Sequence, residues 1–161
     1  MDLKDAKVWD RKLAPLLTAG LVVVLIVSGL EARYSWTTPF SPTAKAVSLL
    51  VILLGYTLGS WALVENRFFS GVVRIQTDRG HQVVTGGPYR FVRHPGYAGV
   101  FLTYLAVPVF LDSLSAFIPT ILTLIVLIVR TALEDKTLHE ELPGYREYAQ
   151  QTRYRLFPGV W

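Results

Sequence analysis

Two long runs of apolar residues constrain this chain more than any other feature. Residues 13–30 contain no charge, and residues 43–64 contain only Lys45, which lies near one end. A helix needs about 20 apolar residues to cross the hydrocarbon core of a bilayer, so both runs are long enough to span it. The first run is expected to be a retained span, because the apolar part of a signal peptide is only about 7 to 15 residues long.

A third apolar segment, residues 97–129, is interrupted mainly by Asp112. It is too long for one span, whereas two spans need about 40 residues. A turn at residues 111–115 resolves the difference if both helices extend beyond the apolar run, to His94 on one side and Glu134 on the other. Asp112 and Ser113 then serve as turn and N-cap residues, because their side-chain oxygens can accept bonds from backbone amides.

The sequence therefore predicts one all-α integral membrane domain over residues 1–161. It has about four transmembrane helices: residues 13–30, residues 43–64 and a C-terminal helical hairpin at residues 94–134. Residues 65–93 form an interfacial loop, and residues 135–161 form a tail.

The placement of basic residues predicts the orientation of these spans. Of the 16 Lys and Arg residues, four precede the first run, five lie in residues 67–93 and five in residues 130–155. By the positive-inside rule, the side that carries them is cytoplasmic, with both termini inside. This distribution explains the net charge of +4 without nucleic acid as a partner, and we find no nucleic-acid-binding motif in the sequence.

The hairpin brings charged groups to a similar depth. His94 and Glu134 lie roughly 28 and 32 Å from a turn at Ser113, at 1.5 Å per residue of helix. We expect them to meet at the cytoplasmic interface together with Arg93 and Arg130. Ionisable clusters at such depths are candidate functional sites, although arginines there can also extend to lipid headgroups alone.

Other motifs indicate little chemistry. The chain has no Cys and three His residues without close spacing, so no metal site is predicted. Neither a dinucleotide-binding glycine motif nor a Walker loop is present. The acidic pair Glu140 and Glu141 precedes Leu142-Pro143-Gly144 and is interpreted as a solvated helix end.

An ordered set of motifs in the C-terminal half resembles a known family. Residues 87–97 read GPYRFVRHPGY, and the hairpin ends in Arg130-x-x-x-Glu134-Asp135, followed by Gly144-Tyr145-x-x-Tyr148. The set resembles the isoprenylcysteine carboxyl methyltransferase family, whose C-terminal half is similar to that of phospholipid N-methyltransferases. The resemblance covers residues 81–161, and the first two apolar runs carry none of it.

The resemblance implies S-adenosylmethionine as methyl donor, bound between the interfacial loop and the hairpin ends. The positions that match cofactor-binding residues of the family are His81, Gln82, Val83, Val84, Tyr89, His94, Pro95, Gly96, Tyr97 and Glu134. Arg130 matches the position that faces the methyl acceptor and is the predicted catalytic residue. Asp135 stands where the family usually has Glu, so its role stays open.

The expected function is methyl transfer to a lipophilic acceptor that enters from the bilayer. The acceptor group is either an isoprenylcysteine-like carboxylate or a lipid headgroup. Two alternatives remain at this stage. Sterol reductases look similar in the same half and use a nicotinamide dinucleotide, and a noncatalytic four-span membrane partner would need no cofactor.

Overall fold

The computed structural model describes residues 6–161 and is helical, with no strand in that range. Residues 1–5, which include the basic residue Lys4, lie outside the described part. The five α-helices, in chain order, are α1 (Asp10–Tyr34), α2 (Pro42–Glu65), α3 (Pro95–Phe110), α4 (Phe117–Glu141) and α5 (Tyr145–Gln151). Two short 3-10 helices, Thr77–Arg79 and Gly87–Arg90, lie in the loop between α2 and α3.

Three of these helices are long and apolar enough to cross a membrane: α1, α2 and α4, with 25, 24 and 25 residues. Helix α3 is apolar but has 16 residues, or about 24 Å at helical rise, which is less than the roughly 30 Å hydrocarbon core. The outer faces of the long helices expose Leu, Ile and Val side chains, as a lipid-facing surface requires. The prediction of an all-α integral membrane fold is confirmed, whereas the count of four spans stays a prediction.

The hairpin turn lies where the sequence predicts it. Helix α3 ends at Phe110, and Asp112 adopts a left-handed conformation with φ of 56°. The Ser113 hydroxyl accepts a hydrogen bond from the Ala116 amide at 3.2 Å, but the N-cap of α4 is Ala116, so Ser113 stabilises the turn and its predicted N-cap role is wrong. Helix α4 then continues to Glu141, so the first residues of the predicted tail are helical.

The predicted capping role of Asp112 is wrong. Its carboxylate accepts hydrogen bonds from the Phe40 amide at 2.9 Å and from the Lys45 ammonium at 2.7 Å, both in the segment around the start of α2. The bond to Lys45 lowers the pKa of this carboxyl group. Asp112 therefore ties the hairpin turn to α2, and only Ser113 bonds to a backbone amide that leads into α4.

A buried acid on α1 also holds this turn. Glu31 accepts hydrogen bonds from the Ser113 hydroxyl at 2.5 Å and from the Ser115 amide at 3.0 Å, and also from the Thr37 hydroxyl. Its exposed fraction is 2%. A buried carboxylate is tolerated only when its oxygens are hydrogen-bonded, so these bonds join the end of α1 to the hairpin.

Glycines determine how the helices pack. Helix α2 lies closely along α3, and α4 contacts both α1 and α3. A Cβ on Gly99 would collide with the Gly55 carbonyl oxygen and would lie 2.9 Å from the Gly59 amide nitrogen. The backbones of α2 and α3 therefore approach each other as small residues permit in membrane helix pairs.

Candidate active site

A cleft lies where the loop between α2 and α3 meets the ends of α3, α4 and α5. We call it the interfacial cleft. Nine of the ten predicted cofactor residues line it: His81, Gln82, Val83, Val84, Tyr89, His94, Gly96, Tyr97 and Glu134. Pro95 does not line the cleft, because it is buried as the first residue of α3. The structure thus brings the predicted residues together, while their role in cofactor binding stays a prediction.

The Gly-Gly-Pro segment gives one wall of the cleft its shape. Gly87 has φ of 51°, a conformation that favours glycine, and it begins the 3-10 helix Gly87–Arg90. This helix directs Tyr89 into the protein, where its hydroxyl lies 3.4 Å from the Ala62 carbonyl oxygen and accepts a bond from Asn66 at 3.2 Å. Burial raises the pKa of Tyr89 to about 12. Tyr89 is therefore a neutral aromatic wall at physiological pH.

His81 lies across the cleft on the interfacial loop. Its Nδ1 atom is 3.3 Å from the Gln76 amide nitrogen, and its ring packs against Phe68 at a centroid distance of 4.6 Å. Burial, together with the nearby charges of Arg74 and Arg79, lowers the pKa of His81. A neutral ring can accept the Gln76 amide proton and contribute an uncharged surface to the cleft.

Asp135 forms the centre of a buried charged cluster next to the cleft. Arg93 donates to both of its carboxylate oxygens at 2.8 and 3.0 Å, and Arg155 donates at 2.8 Å. The Tyr145 hydroxyl donates at 2.9 Å, and His94 Nε2 lies 3.2 Å from the carboxylate. We call these residues the Asp135 cluster. It joins α4, α5, the segment before α3 and the C-terminal residues.

The electrostatics of the cluster follow from burial and pairing. Asp135 is 1% exposed, so an unpaired charge there would be very costly. Burial opposes the charge of Arg93, but its hydrogen bonds to Asp135 raise its pKa. Burial and the neighbouring carboxylate both raise the pKa of Tyr145. Asp135 is therefore compensated by fixed donors, and the cluster acts as a rigid support beneath the cleft.

The predicted contact between His94 and Glu134 is wrong by one residue along α4. Both lie at the same end of the hairpin, but the partner of His94 is Asp135. Successive residues on a helix point about 100° apart. Glu134 consequently points into the cleft, where it accepts a hydrogen bond from the Tyr97 hydroxyl at 2.5 Å.

Arg130 is buried behind Tyr97 and pairs with a residue that the sequence analysis missed. Its Nε lies 2.6 Å from Asp10 Oδ1, and its Nη2 donates to the Gly71 carbonyl at 3.0 Å. The guanidinium carbon lies 5.3 Å from the centre of the Tyr97 ring. The ion pair of Arg130 is therefore with α1, and Glu134, one turn along α4, bonds to Tyr97. No signal in the sequence links residue 10 to residue 130, since only the packing of α1 on α4 brings them together.

An apolar groove runs along the protein surface from the cleft. It lies between α2 and α3. Gly55, Gly59 and Gly99 contribute to its floor, and Phe69 and Gly96 line both the groove and the interfacial cleft. We call it the α2–α3 groove. The apolar α2–α3 groove is thus adjacent to the polar cleft at the helix ends.

Comparison with known proteins now decides the family. Residues 47–140 match the Isoprenylcysteine carboxyl methyltransferase (ICMT) family. The chain belongs to this family. The matched ICMT region includes most of α2, the interfacial loop, α3 and nearly all of α4.

Individual relatives agree with the ICMT assignment. The chain is 32% identical over 113 residues to the probable protein-S-isoprenylcysteine O-methyltransferase of Oryza sativa subsp. indica, covering 68% of this chain and 59% of that protein. It is 36% identical over 77 residues to the protein-S-isoprenylcysteine O-methyltransferase of Schizosaccharomyces pombe, covering 47% of this chain and 31% of that protein. The chain thus spans little more than half the length of the rice relative.

A solved structure matches the fold. The eukaryotic intramembrane Ras methyltransferase ICMT superposes with a TM-score of 0.70 and 23% identity, covering 91% of this chain and 53% of that chain. At this identity the similarity establishes the fold alone. Nearly the whole chain, including α1, therefore has the ICMT fold.

Proposed function

We propose that this protein transfers a methyl group from S-adenosylmethionine to a lipophilic acceptor at the membrane interface. The observation that carries the proposal is the Glu134 carboxylate, which faces a cleft with aromatic and aliphatic walls at the ends of membrane helices. The relatives are named as methyltransferases of isoprenylcysteine, and the substrate class is taken from them. The proposed side of the membrane for this chemistry, and for both termini, is the cytoplasm.

The residues present fit S-adenosylmethionine. Glu134 uses one oxygen to accept the Tyr97 bond, and its Oε1 has no partner among the described residues, so it can accept a bond from the ammonium of the ligand. Gln82 supplies an amide for polar groups, and Val83, Val84 and Leu138 supply apolar walls for adenine.

Tyr97, His94 and the Asp135 cluster each have a positioning role. When bound, S-adenosylmethionine supplies a methyl group on a sulfonium leaving group, so attack by a carboxylate forms one O–C bond, breaks one S–C bond and releases no proton. Tyr97 fixes the Glu134 carboxylate through a 2.5 Å hydrogen bond. Its ring stacks on His94 at 5.9 Å, and the Asp135 cluster holds His94 in turn. Orientation of two bound reactants by such fixed groups provides much of the rate acceleration in a displacement.

The α2–α3 groove is the proposed site for the apolar chain of the acceptor. It is open to lipid, and it reaches the cleft at Phe69 and Gly96. A chain that enters from the bilayer would direct its polar end toward Tyr97. Arg130 lies against this tyrosine and is the proposed catalytic residue that contacts the acceptor.

A transfer assay tests this function. Protein in lipid nanodiscs is supplied with S-adenosylmethionine labelled in its methyl group and with either an N-acetyl-S-prenyl cysteine or a phosphatidylethanolamine. We expect label in the cysteine derivative, released as methanol by base because the product is a methyl ester. Label in the phospholipid that resists base would show N-methylation instead. No transfer, together with oxidation of NADPH by an unsaturated sterol, would favour the reductase alternative.

A further inference from the structure

The ion pair between Asp10 and Arg130 contains a feature beyond the family motifs. Asp10 is completely buried at the start of α1, and it lies outside residues 47–140 that match the ICMT family. Its Oδ1 accepts from Arg130 Nε at 2.6 Å, and its Oδ2 accepts from Arg130 Nη2 at 3.3 Å. The carboxylate thus contacts one edge of the guanidinium with both oxygens.

The opposite end of the Arg130 guanidinium, Nη1, is available to bind another group. Arginine has five N–H donors, of which two are on Nη1. The bonds to Asp10 and Gly71 use Nε and Nη2, and Nη1 has no partner among the described residues. Fully buried side-chain nitrogens or oxygens without a partner occur, in the described range, only at Ser28 and Thr120. Nη1 is therefore not sealed inside the protein.

Two further contacts fix the position of this end. The guanidinium packs over the ring of Tyr97, which lines the cleft and donates to Glu134. Asp10 Oδ2 also accepts from the Val73 amide at 2.7 Å, so the carboxylate cannot follow the arginine if the latter moves. Arg130 is held at one edge by Asp10 and on one face by Tyr97, which lines the cleft, whereas Arg130 itself lies behind this tyrosine.

From this geometry we infer that Asp10 is a positioning residue for methyl transfer, which holds the Arg130 guanidinium in place against Tyr97. The inference rests on the proposed function and deepens it. The site is therefore completed by the first helix rather than by the C-terminal half alone.

A double-mutant cycle on Asp10 and Arg130 tests the inference. Asp10→Asn keeps an oxygen that can accept from Val73 but removes the charge. Arg130→Gln removes the cation. We expect each single variant to lower kcat/KM for the prenyl cysteine at least about tenfold, and the double variant to lose no more than the single Arg130→Gln variant. The affinity for S-adenosylhomocysteine should stay within about threefold in all three proteins.

A second ion pair provides a matched control. Lys7 lies 2.6 Å from Glu141, so this pair also connects the N-terminal segment with α4, but on the surface. Glu141→Gln breaks that connection and should leave kcat/KM unchanged. If Asp10 served only to attach α1 to α4, Asp10→Asn would lower the melting temperature and the affinity for S-adenosylhomocysteine together with kcat/KM.

Each result decides the inference. Normal transfer by Asp10→Asn, or losses that multiply in the double variant, would overturn it. Asp10→Glu, which keeps the charge, should retain more activity than Asp10→Asn. If neither Asp10 variant bound S-adenosylhomocysteine, Asp10 would be part of the cleft structure itself, and the inference would also be overturned. Absence of S-adenosylhomocysteine binding in the wild-type protein would instead refute the proposed function, on which this inference depends.

Discussion

The Arg93 guanidinium donates to both carboxylate oxygens of Asp135, from Nε at 2.8 Å and from Nη2 at 3.0 Å. Both side chains are buried. This pair joins the segment before α3 to α4, and Arg155 and Tyr145 add the C-terminal residues and α5 to it. One buried carboxylate therefore links four segments of the chain around the interfacial cleft.

Removal of that charge should destabilise the protein strongly. In Asp135→Asn the buried Arg93 loses its counter-ion, and loss of one partner of a buried ion pair typically costs about 3 to 5 kcal/mol. For a domain of this size that is a decrease of roughly 6 to 20 °C in melting temperature, measurable by thermal unfolding in detergent.

Two further variants serve as controls for the Asp135→Asn experiment. Glu140→Gln breaks only an exposed pair with Lys136 and should leave the melting temperature nearly unchanged. Asp135→Glu keeps the charge and should lose less stability than Asp135→Asn. An Asp135→Asn protein as stable as the wild type would mean that the cluster does not hold the cleft together.

Features of the fold that depend on local sequence could be predicted, whereas contacts between residues far apart in the chain could not. The hairpin turn around Ser113 follows from the length of an apolar run, and it lies between Phe110 and Phe117 in the structure. The choice between Glu134 and Asp135 depends on helix rotation, which depth along the helix does not specify. The pairing of Asp10 with Arg130 depends on which helix packs against α4, and neither charge carries a sequence signal for it.

Orientation in the membrane can be tested by cysteine labelling, since the native chain contains no cysteine. The positive-inside rule predicts that Thr38→Cys and Leu114→Cys react with an impermeant maleimide from outside the cell, whereas Gln150→Cys does not. All three native side chains are exposed in the structure. Ser113 is unsuitable because it is fully buried against Glu31.

Labelling of Gln150→Cys from outside, with protection of Leu114→Cys, would reverse the topology. Protection of both Thr38→Cys and Leu114→Cys would mean that the turn regions do not emerge from the membrane. The short helix α3 makes this a real test of the four-span arrangement.

We expect the α2–α3 groove to determine which acceptor chain lengths the protein methylates. A Cβ on Gly59 would meet no atom within 4 Å, so a larger side chain can enter the groove without disturbing the fold. Gly59→Leu is expected to reduce kcat/KM for long prenyl chains roughly tenfold or more, and to affect short chains less. The measurement is a transfer assay with acceptors of increasing chain length.

Gly29→Leu is the matched control for this substitution. Gly29 is also a glycine within a long apolar helix, and its Cβ position is equally open, but it lies on α1 away from the groove. Equal losses in the two variants would assign the effect to the helices in general. Unchanged chain-length preference in Gly59→Leu would exclude the groove as the acceptor site.

The central claim is that the interfacial cleft binds S-adenosylmethionine through Glu134, and calorimetry with S-adenosylhomocysteine tests it most directly. The account predicts binding by the wild-type protein, with an affinity decreased about 10- to 100-fold in Glu134→Gln, because a charged hydrogen bond contributes about 1.5 to 3 kcal/mol. Glu140→Gln should bind like the wild type. Unchanged affinity in Glu134→Gln, or binding of NADPH in place of S-adenosylhomocysteine, would contradict the account.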